Sequence, residues 1–218
     1  MTDAWRPHAA AWWASPAWHA YEVANGEVPG ARTALLATAT WQTRLLDLAL
    51  DPPALRRGMR KGRRAEITAA AKRWTIRADA AMATIEAYIA VHQTAFPGAR
   101  PAATYAHQLA WGDSGWDDGG HGLAAVALDP GGAPGAAVYV IRHGIWAYYA
   151  SGPSRVPNTL AAVLWAAILA CRAAGVRWFE LGWQGHATDA KGQAIEAFKR
   201  HFGGVDVSAR LTPHPNGG

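Results

Sequence analysis

Tyr148-Tyr149-Ala150-Ser151, Trp178-Phe179-Glu180-Leu181-Gly182 and Phe198-Lys199-Arg200-His201-Phe202-Gly203-Gly204 mark out the last third of this 218-residue chain. Between the first two stretches, Leu160, Val163, Leu164, Ala167, Ile168 and Cys171 fall on one face of a helix. Asn158 offers that helix a cap, and Gly175 a stop before a buried strand over Val176 to Leu181. An amphipathic helix is predicted over Lys191 to Phe202, burying Ile195, Phe198 and Phe202, followed by a last strand over Val205 to Leu211. Strand, long apolar helix, short strand and helix in direct succession define an α/β chain.

Upstream, the periodicity predicts three strands in a row: Gly122 to Leu128, Ala136 to Arg142 and Ile145 to Ala150. Gly-Pro turns and His143-Gly144 separate them, so they read as an antiparallel meander. Helices are expected over Ala102 to Trp111 and Ala80 to Ala95, with a short strand over Thr75 to Ala78. Good helix formers run from Ala54 to about Arg73, although Gly58 and Gly62 each weaken a helix by roughly 1 kcal/mol relative to Ala. Close backbone approach would explain them. Asp51-Pro52-Pro53 reads as a helix start, preceded by two strands over Ala31 to Ala39 and Arg44 to Leu50 with a turn near Thr40-Trp41-Gln42. Twelve tryptophans are present, and Trp12, Trp13 and Trp18 crowd an N-terminal segment of weak periodicity, where they are expected to pack over the domain.

Composition excludes several classes. Half the residues are apolar, enough to bury a proper core and too many for disorder. The single Cys171 rules out an intrachain disulfide framework and fits a reducing cytoplasm. The longest apolar helical run, Leu160 to Ala170, is short of the ~20 residues that cross a bilayer. Nine histidines, among them His107, His121, His143, His186 and His201, show no ligand spacing, so no metal site is expected. No Gly-x-Ser-x-Gly elbow, P-loop or dinucleotide fingerprint occurs. A net charge of +5 and a pI near 9.7 favour a polyanionic partner.

The order of helices, three-strand meander, helix, strand, helix and strand resembles the GNAT fold, specifically its Fem-type branch of FemAB-like peptidyltransferases. The resemblance covers roughly Pro53 to Gly204. It rests on the basic helix Leu55 to Ala65, on Val138 to Ser151, on Phe179-Glu180-Leu181-Gly182, and on Phe198-Lys199 with Phe202-Gly203-Gly204. It implies a mixed, mostly antiparallel central sheet flanked by helices. Residues 1–50 would form an N-terminal segment and hairpin packing on the core, 51–211 the transferase core, and 212–218 a loose tail. Family members that extend cell-wall peptides contain two such domains, and this chain has room for one.

The resemblance implies an acyltransferase, and the loop Ser151 to Asn158 bears on its donor. Acetyl-CoA-dependent members hold pyrophosphate on backbone amides at this place, yet Pro153 and Pro157 each remove an N–H. Fem-type members take their acyl group from aminoacyl-tRNA, which serves as co-substrate with no other cofactor. Arg56, Arg57, Arg60, Lys61, Arg63 and Arg64 put six cations within nine residues, with Arg56, Arg60, Arg63 and Arg64 on one helical face. Phosphate contact is the expected role, and a solvated face the alternative.

Lys199 matches the lysine of the family's Phe-Lys pair, a cationic stabiliser of the donor or the developing charge; pairing with Glu196 is its structural alternative. Glu180 faces opposite to Phe179 and Leu181 and would act as base, or else form a salt bridge. Tyr148 and Tyr149 point to opposite faces, and Tyr149 is preferred for the cleft. Trp183, Gln184 and His186 lie beyond the strand end and, with Tyr148 and Ser151, would line a substrate pocket. The expected activity is amide-bond formation between a tRNA-borne amino acid and the amine of a peptide or small metabolite. A cytoplasmic enzyme of a cell-wall or peptide-antibiotic pathway would fit. An acyl-CoA-dependent N-acyltransferase and a non-catalytic RNA-binding module are the alternatives.

Overall fold

Strands Gly122–Leu128 (β3) and Pro134–His143 (β4) are apolar and buried nearly end to end, the mark of central strands covered on both faces. The computed structural model describes residues 3–25, 41–100, 102–113, 122–184 and 187–209. Around β3 and β4 it places Trp41–Asp47 (β1), Thr75–Asp79 (β2), Trp146–Ser151 (β5), Trp178–Trp183 (β6) and Val205–Ala209 (β7). The seven strands lie in the order β2-β3-β4-β5-β6-β1-β7. Every pair is antiparallel except β5 and β6. Parallel neighbours need a crossover, and the helix between β5 and β6 supplies it. This mostly antiparallel sheet between helical layers is the expected GNAT-like architecture.

The helices are Arg6–Trp13 (α1), Pro16–Ala24 (α2), Pro52–Gly58 (α3), Lys61–Ala71 (α4), Met82–Ala95 (α5), Ala102–Asp113 (α6), Leu160–Ala173 (α7) and Ala190–Arg200 (α8). On one face of the sheet, Leu55 of α3, Met59 between the two helices and Ile67 of α4 join the apolar side of α7 and Phe202 over Val138, Val140, Phe179 and Leu181. On the other, Trp12, Trp13 and Trp18 of α1 and α2 and Ile85, Tyr88 and Ile89 of α5 pack over Tyr139, Trp146, Tyr148 and Trp178. The three tryptophans are fully buried.

Several expectations are corrected. The single helix predicted from Ala54 to Arg73 is two, because Met59 adopts an extended backbone and drops its side chain into the core. The amide of Arg60 bonds instead to the His201 carbonyl, 3.1 Å away. A Cβ on Gly203, whose φ is +82°, would sit 2.7 Å from the Gly58 carbonyl oxygen, so the α3–α4 junction and the end of α8 meet backbone to backbone. The strand expected at Arg44 to Leu50 begins at Trp41, because β1 is bonded on both sides by β6 and β7. Its predicted partner, Ala31 to Ala39, lies outside the described residues. Thr159, not Asn158, occupies the cap of α7; Asn158 takes a left-handed φ of 59° just before it. Ile195, expected inside, is exposed. Trp41 and Gln42, expected in a turn, are strand residues, whereas Asp51 caps α3 through a 2.6 Å hydrogen bond from the Ala54 amide.

Candidate functional site

Three parallel pairs hold β5 to β6: Trp146 with Trp178, Ala147 with Phe179 and Tyr148 with Glu180. Beyond them the strands part. Tyr149 and Ser151 stay with β4, while β6 runs on beside β1 to the pair Thr43–Trp183. Between Leu45–Glu180 and Thr43–Trp183 the register slips, and the extra residue is accommodated at Gly182, whose φ is +83°. Carboxyl ends of diverging parallel strands leave a crevice where side chains from several elements converge.

Into this crevice α8 delivers Lys199. A Cβ on Gly182 would lie 3.1 Å from the Lys199 Nζ and 3.5 Å from the Tyr148 hydroxyl, so the absent side chain is what lets the three meet. Burial pulls the Lys199 ammonium below the ordinary lysine range, while Glu180 first and Glu196 second oppose the shift. Glu180 is fully buried; its Oε1 accepts from the Thr43 hydroxyl at 2.9 Å and its Oε2 from the Trp146 indole at 3.1 Å. Glu196, the alternative partner expected for Lys199, accepts from the Ala187 amide at 3.0 Å and sits 3.7 Å from Arg200.

Tyr148 is the tyrosine of the crevice. Its ring stacks 6.3 Å from Trp12 and meets Trp13 and Trp18 edge-on at 5.7 and 5.4 Å. The preference for Tyr149 is corrected: alternation sends that ring to the opposite face, over Gly152 and Leu160. Burial there, helped by Tyr88, pushes its hydroxyl above the ordinary phenol range. Glu180 does face away from Phe179 and Leu181, as alternation requires, but its carboxylate is enclosed and doubly hydrogen-bonded. It is therefore not open to an incoming amine. Ser151 closes β5 opposite Tyr139, Trp183 ends β6, and Gln184 is buried with its backbone N–H donating to the Gln42 backbone carbonyl at 3.0 Å. His186 lies outside the described residues.

The basic run divides into separate environments. Arg63 is buried, with its guanidinium 4.3 Å from the Phe198 ring and 5.3 Å from that of Phe202, and it pairs with Glu66. It fastens α4 to the helix of Lys199 and is not a surface cation. Arg64 donates to the Met59 and Arg57 carbonyls at 2.9 and 3.1 Å, closing the end of α3. Arg60 sits 2.8 Å from the His201 Nε2, and Arg56 donates to Thr68 at 2.6 Å. Arg57 and Lys61 are exposed. Arg56, Lys61 and Arg64 also rim a shallow depression of about 690 Å³ with Lys72 and Arg73, two cations outside the expected basic run. Thr43, Trp146 and Gly182 were likewise not among the expected site residues. Trp146 was open to inference, being two positions before Tyr148 and so on its face.

A second cleft, also about 690 Å³, lies between α4, residues 154–158 and α8, lined by Arg63, Arg155, Asn158, Ala194, Phe198 and His201. It opens one residue from Lys199. The backbone of the adjoining loop is engaged elsewhere: the Arg155 amide bonds to the Gly135 carbonyl at 2.9 Å and the Val156 amide to the Ser154 Oγ at 3.3 Å.

The architecture is a GNAT-like fold, shared with solved structures. The chain superposes on FemX with a TM-score of 0.60 at 11% identity, over 78% of this chain and 59% of that one. It matches the C-terminal domain of a putative lysylphosphatidylglycerol synthetase from Agrobacterium fabrum with a TM-score of 0.52 at 13% identity, over 78% of this chain and 59% of that one. The L-PGS structure from Bacillus licheniformis gives 0.52 at 11% identity, over 77% and 58%. The chain thus spans somewhat under three-fifths of the length of each. No family model and no curated protein matches its sequence.

Proposed function

We propose that the protein transfers an aminoacyl group from charged tRNA to the amine of a peptide or small metabolite. The observation that carries this reading is the half-buried ammonium of Lys199, held beside Tyr148 and above Glu180 where β5 and β6 part. The amine nitrogen attacks the ester carbonyl carbon, and the carbonyl oxygen takes the negative charge. Lys199 stabilises that oxyanion; a fixed cation in a water-poor site is worth far more than one in water. The carbon–oxygen bond to the ribose then breaks, and the proton lost by the amine ends on the ribose oxygen. Tyr148, beside the ammonium, is placed to relay it. Glu180 acts as a positioning residue: anchored by Thr43 and Trp146, it orients Lys199.

Two features support aminoacyl-tRNA over acyl-CoA as donor. Two prolines and two bonded amides leave the loop after β5 poor in free N–H groups for a pyrophosphate. On the same side of the sheet, α3, α4 and the turn after α4 present Arg57, Lys61, Lys72 and Arg73 to solvent, suited to sequence-independent grip on a phosphate backbone. The lysyl group in the name of the Agrobacterium fabrum neighbour accords with an aminoacyl donor.

Retention of a mixed pool of charged tRNA, with uncharged tRNA and acetyl-CoA as competitors, tests the donor. Preferential retention of charged tRNA, indifferent to acetyl-CoA and weakened by added salt, is the expected result. Displacement by acetyl-CoA would assign the protein to acyl-CoA chemistry. Binding of tRNA with no turnover for Lys199→Met to remove would make it a binding module.

A further inference from the structure

On the face of the sheet that carries Glu180 and Tyr148, a guanidinium stands in a ring of phenols. Arg100, in the connection between α5 and α6, is half-buried and donates to the Tyr88 hydroxyl at 2.8 Å and to the Tyr21 hydroxyl at 3.5 Å. Tyr105 is the third phenol near it, and burial leaves the adjacent His92 neutral, with a pKa near 4. Among the described residues Arg100 has no carboxylate partner. Burial opposes the Arg100 charge, but Tyr21 and Tyr88 outweigh it and raise the pKa, so the guanidinium stays cationic. Gln108, fully buried, lies against Tyr88, and neither of its amide atoms makes a hydrogen bond of good geometry among the described residues. One cation, hydroxyl groups and a primary amide together match a single negative charge with several lone pairs.

The ring is also joined to the crevice. Trp18 touches Tyr148 on one side and Tyr21, at 5.6 Å, on the other. Ser151, beside the Tyr88 hydroxyl, is three strand residues beyond Tyr148, or about 10 Å at ~3.3 Å per residue. Two or three extended residues of a peptide span that length.

We infer that Arg100, with Tyr21, Tyr88 and Gln108, binds the terminal carboxylate of a short peptide whose amine reaches Lys199 and Tyr148. This rests on the transferase reading and names its acceptor. A carboxylate fits better than a phosphate, because one guanidinium balances one charge, and its two parallel donors match two coplanar oxygens.

Equilibrium dialysis of the full chain against a mixed tripeptide library, in free-acid and in C-terminally amidated form, tests the assignment. Free acids are retained at least tenfold more than amides, and Arg100→Gln lowers their retention to the amide level. Arg100→Lys, which keeps the charge and loses the fork, gives an intermediate value. Equal retention of acids and amides by the unaltered protein, or no retention of either, overturns the proposal whether or not the variants fold. So does competition by inorganic phosphate through Arg100 in place of the free acids. Retention of charged tRNA is scored separately on the unaltered protein. Its loss with peptide binding intact contradicts the donor reading alone, and the reverse contradicts only the acceptor.

Discussion

Lys199 works as a cation in a place that disfavours cations, and that tension sets its pH behaviour. Because burial lowers its pKa, the charge is lost as pH rises, and lost earlier than the ~10.4 of a free lysine. Lys199→Met is expected to lower turnover by roughly a hundredfold or more, the usual scale for deleting one stabiliser of an oxyanion. Lys199→Arg should retain part of the rate and abolish the alkaline fall, a result read directly from the pH–rate profile. Gly182 is the silent member of the site. Gly182→Ala places a methyl group against the Lys199 Nζ and forces an L side chain into the left-handed region, which destabilises by about 1–2 kcal/mol. A drop in activity larger than the shift in denaturation midpoint explains is the expected signature. The placement of Lys199 on its helix was legible from the Phe-Lys pair, and the side of the strand that Glu180 faces from its position between Phe179 and Leu181. Choosing between Tyr148 and Tyr149 was not, because alternation separates two faces without saying which one carries the crevice.

At the level of elements, the Phe-Lys helix is held by α3 and α4, and the contact is backbone against backbone. Gly203→Ala would drive a Cβ to 2.7 Å from the Gly58 carbonyl oxygen at a positive φ, so α8 must shift or the junction must open. The expected outcome is a lowered melting temperature together with reduced turnover at saturating substrate, since Lys199 moves with its helix. Turnover unchanged in a folded Gly203→Ala variant would contradict this coupling. The α8 helix and all three meander strands were readable from their apolar periodicity, because local pattern decides them. The break at Met59 was not, because it is made by tertiary contacts with His201 and Gly203, more than a hundred residues away in sequence. The same break explains why Arg56, Arg60, Arg63 and Arg64 do not share one face: Arg63 turns inward to stack on Phe198, and Arg64 closes α3.

For the molecule as a whole, the N-terminal tryptophans pack on the face of the sheet that carries Glu180 and Tyr148. Trp18 is fully buried and bridges Tyr148 to Tyr21. Trp18→Ala is expected to destabilise by about 3–5 kcal/mol, as removal of a large buried ring does, and to reduce activity further by admitting water beside Tyr148. Chemical denaturation and turnover measured on the same preparation separate the two effects. Trp12, Trp13 and Trp18 announced packing by their crowding, but the helices that present them were hidden by weak periodicity. The position of β1 between β6 and β7 was equally illegible, since strand order rests on long-range pairing.

The proposed reaction moves an aminoacyl group from a tRNA ester to an amine. Its most direct test is incubation of the protein with a radiolabelled charged-tRNA pool and the free-acid tripeptide library, following label from tRNA into amide product. Labelled peptide that resists mild alkali, formed by the unaltered protein and lost in Lys199→Met, is the expected result. Label that stays on tRNA while acetyl-CoA acetylates the same library would contradict it.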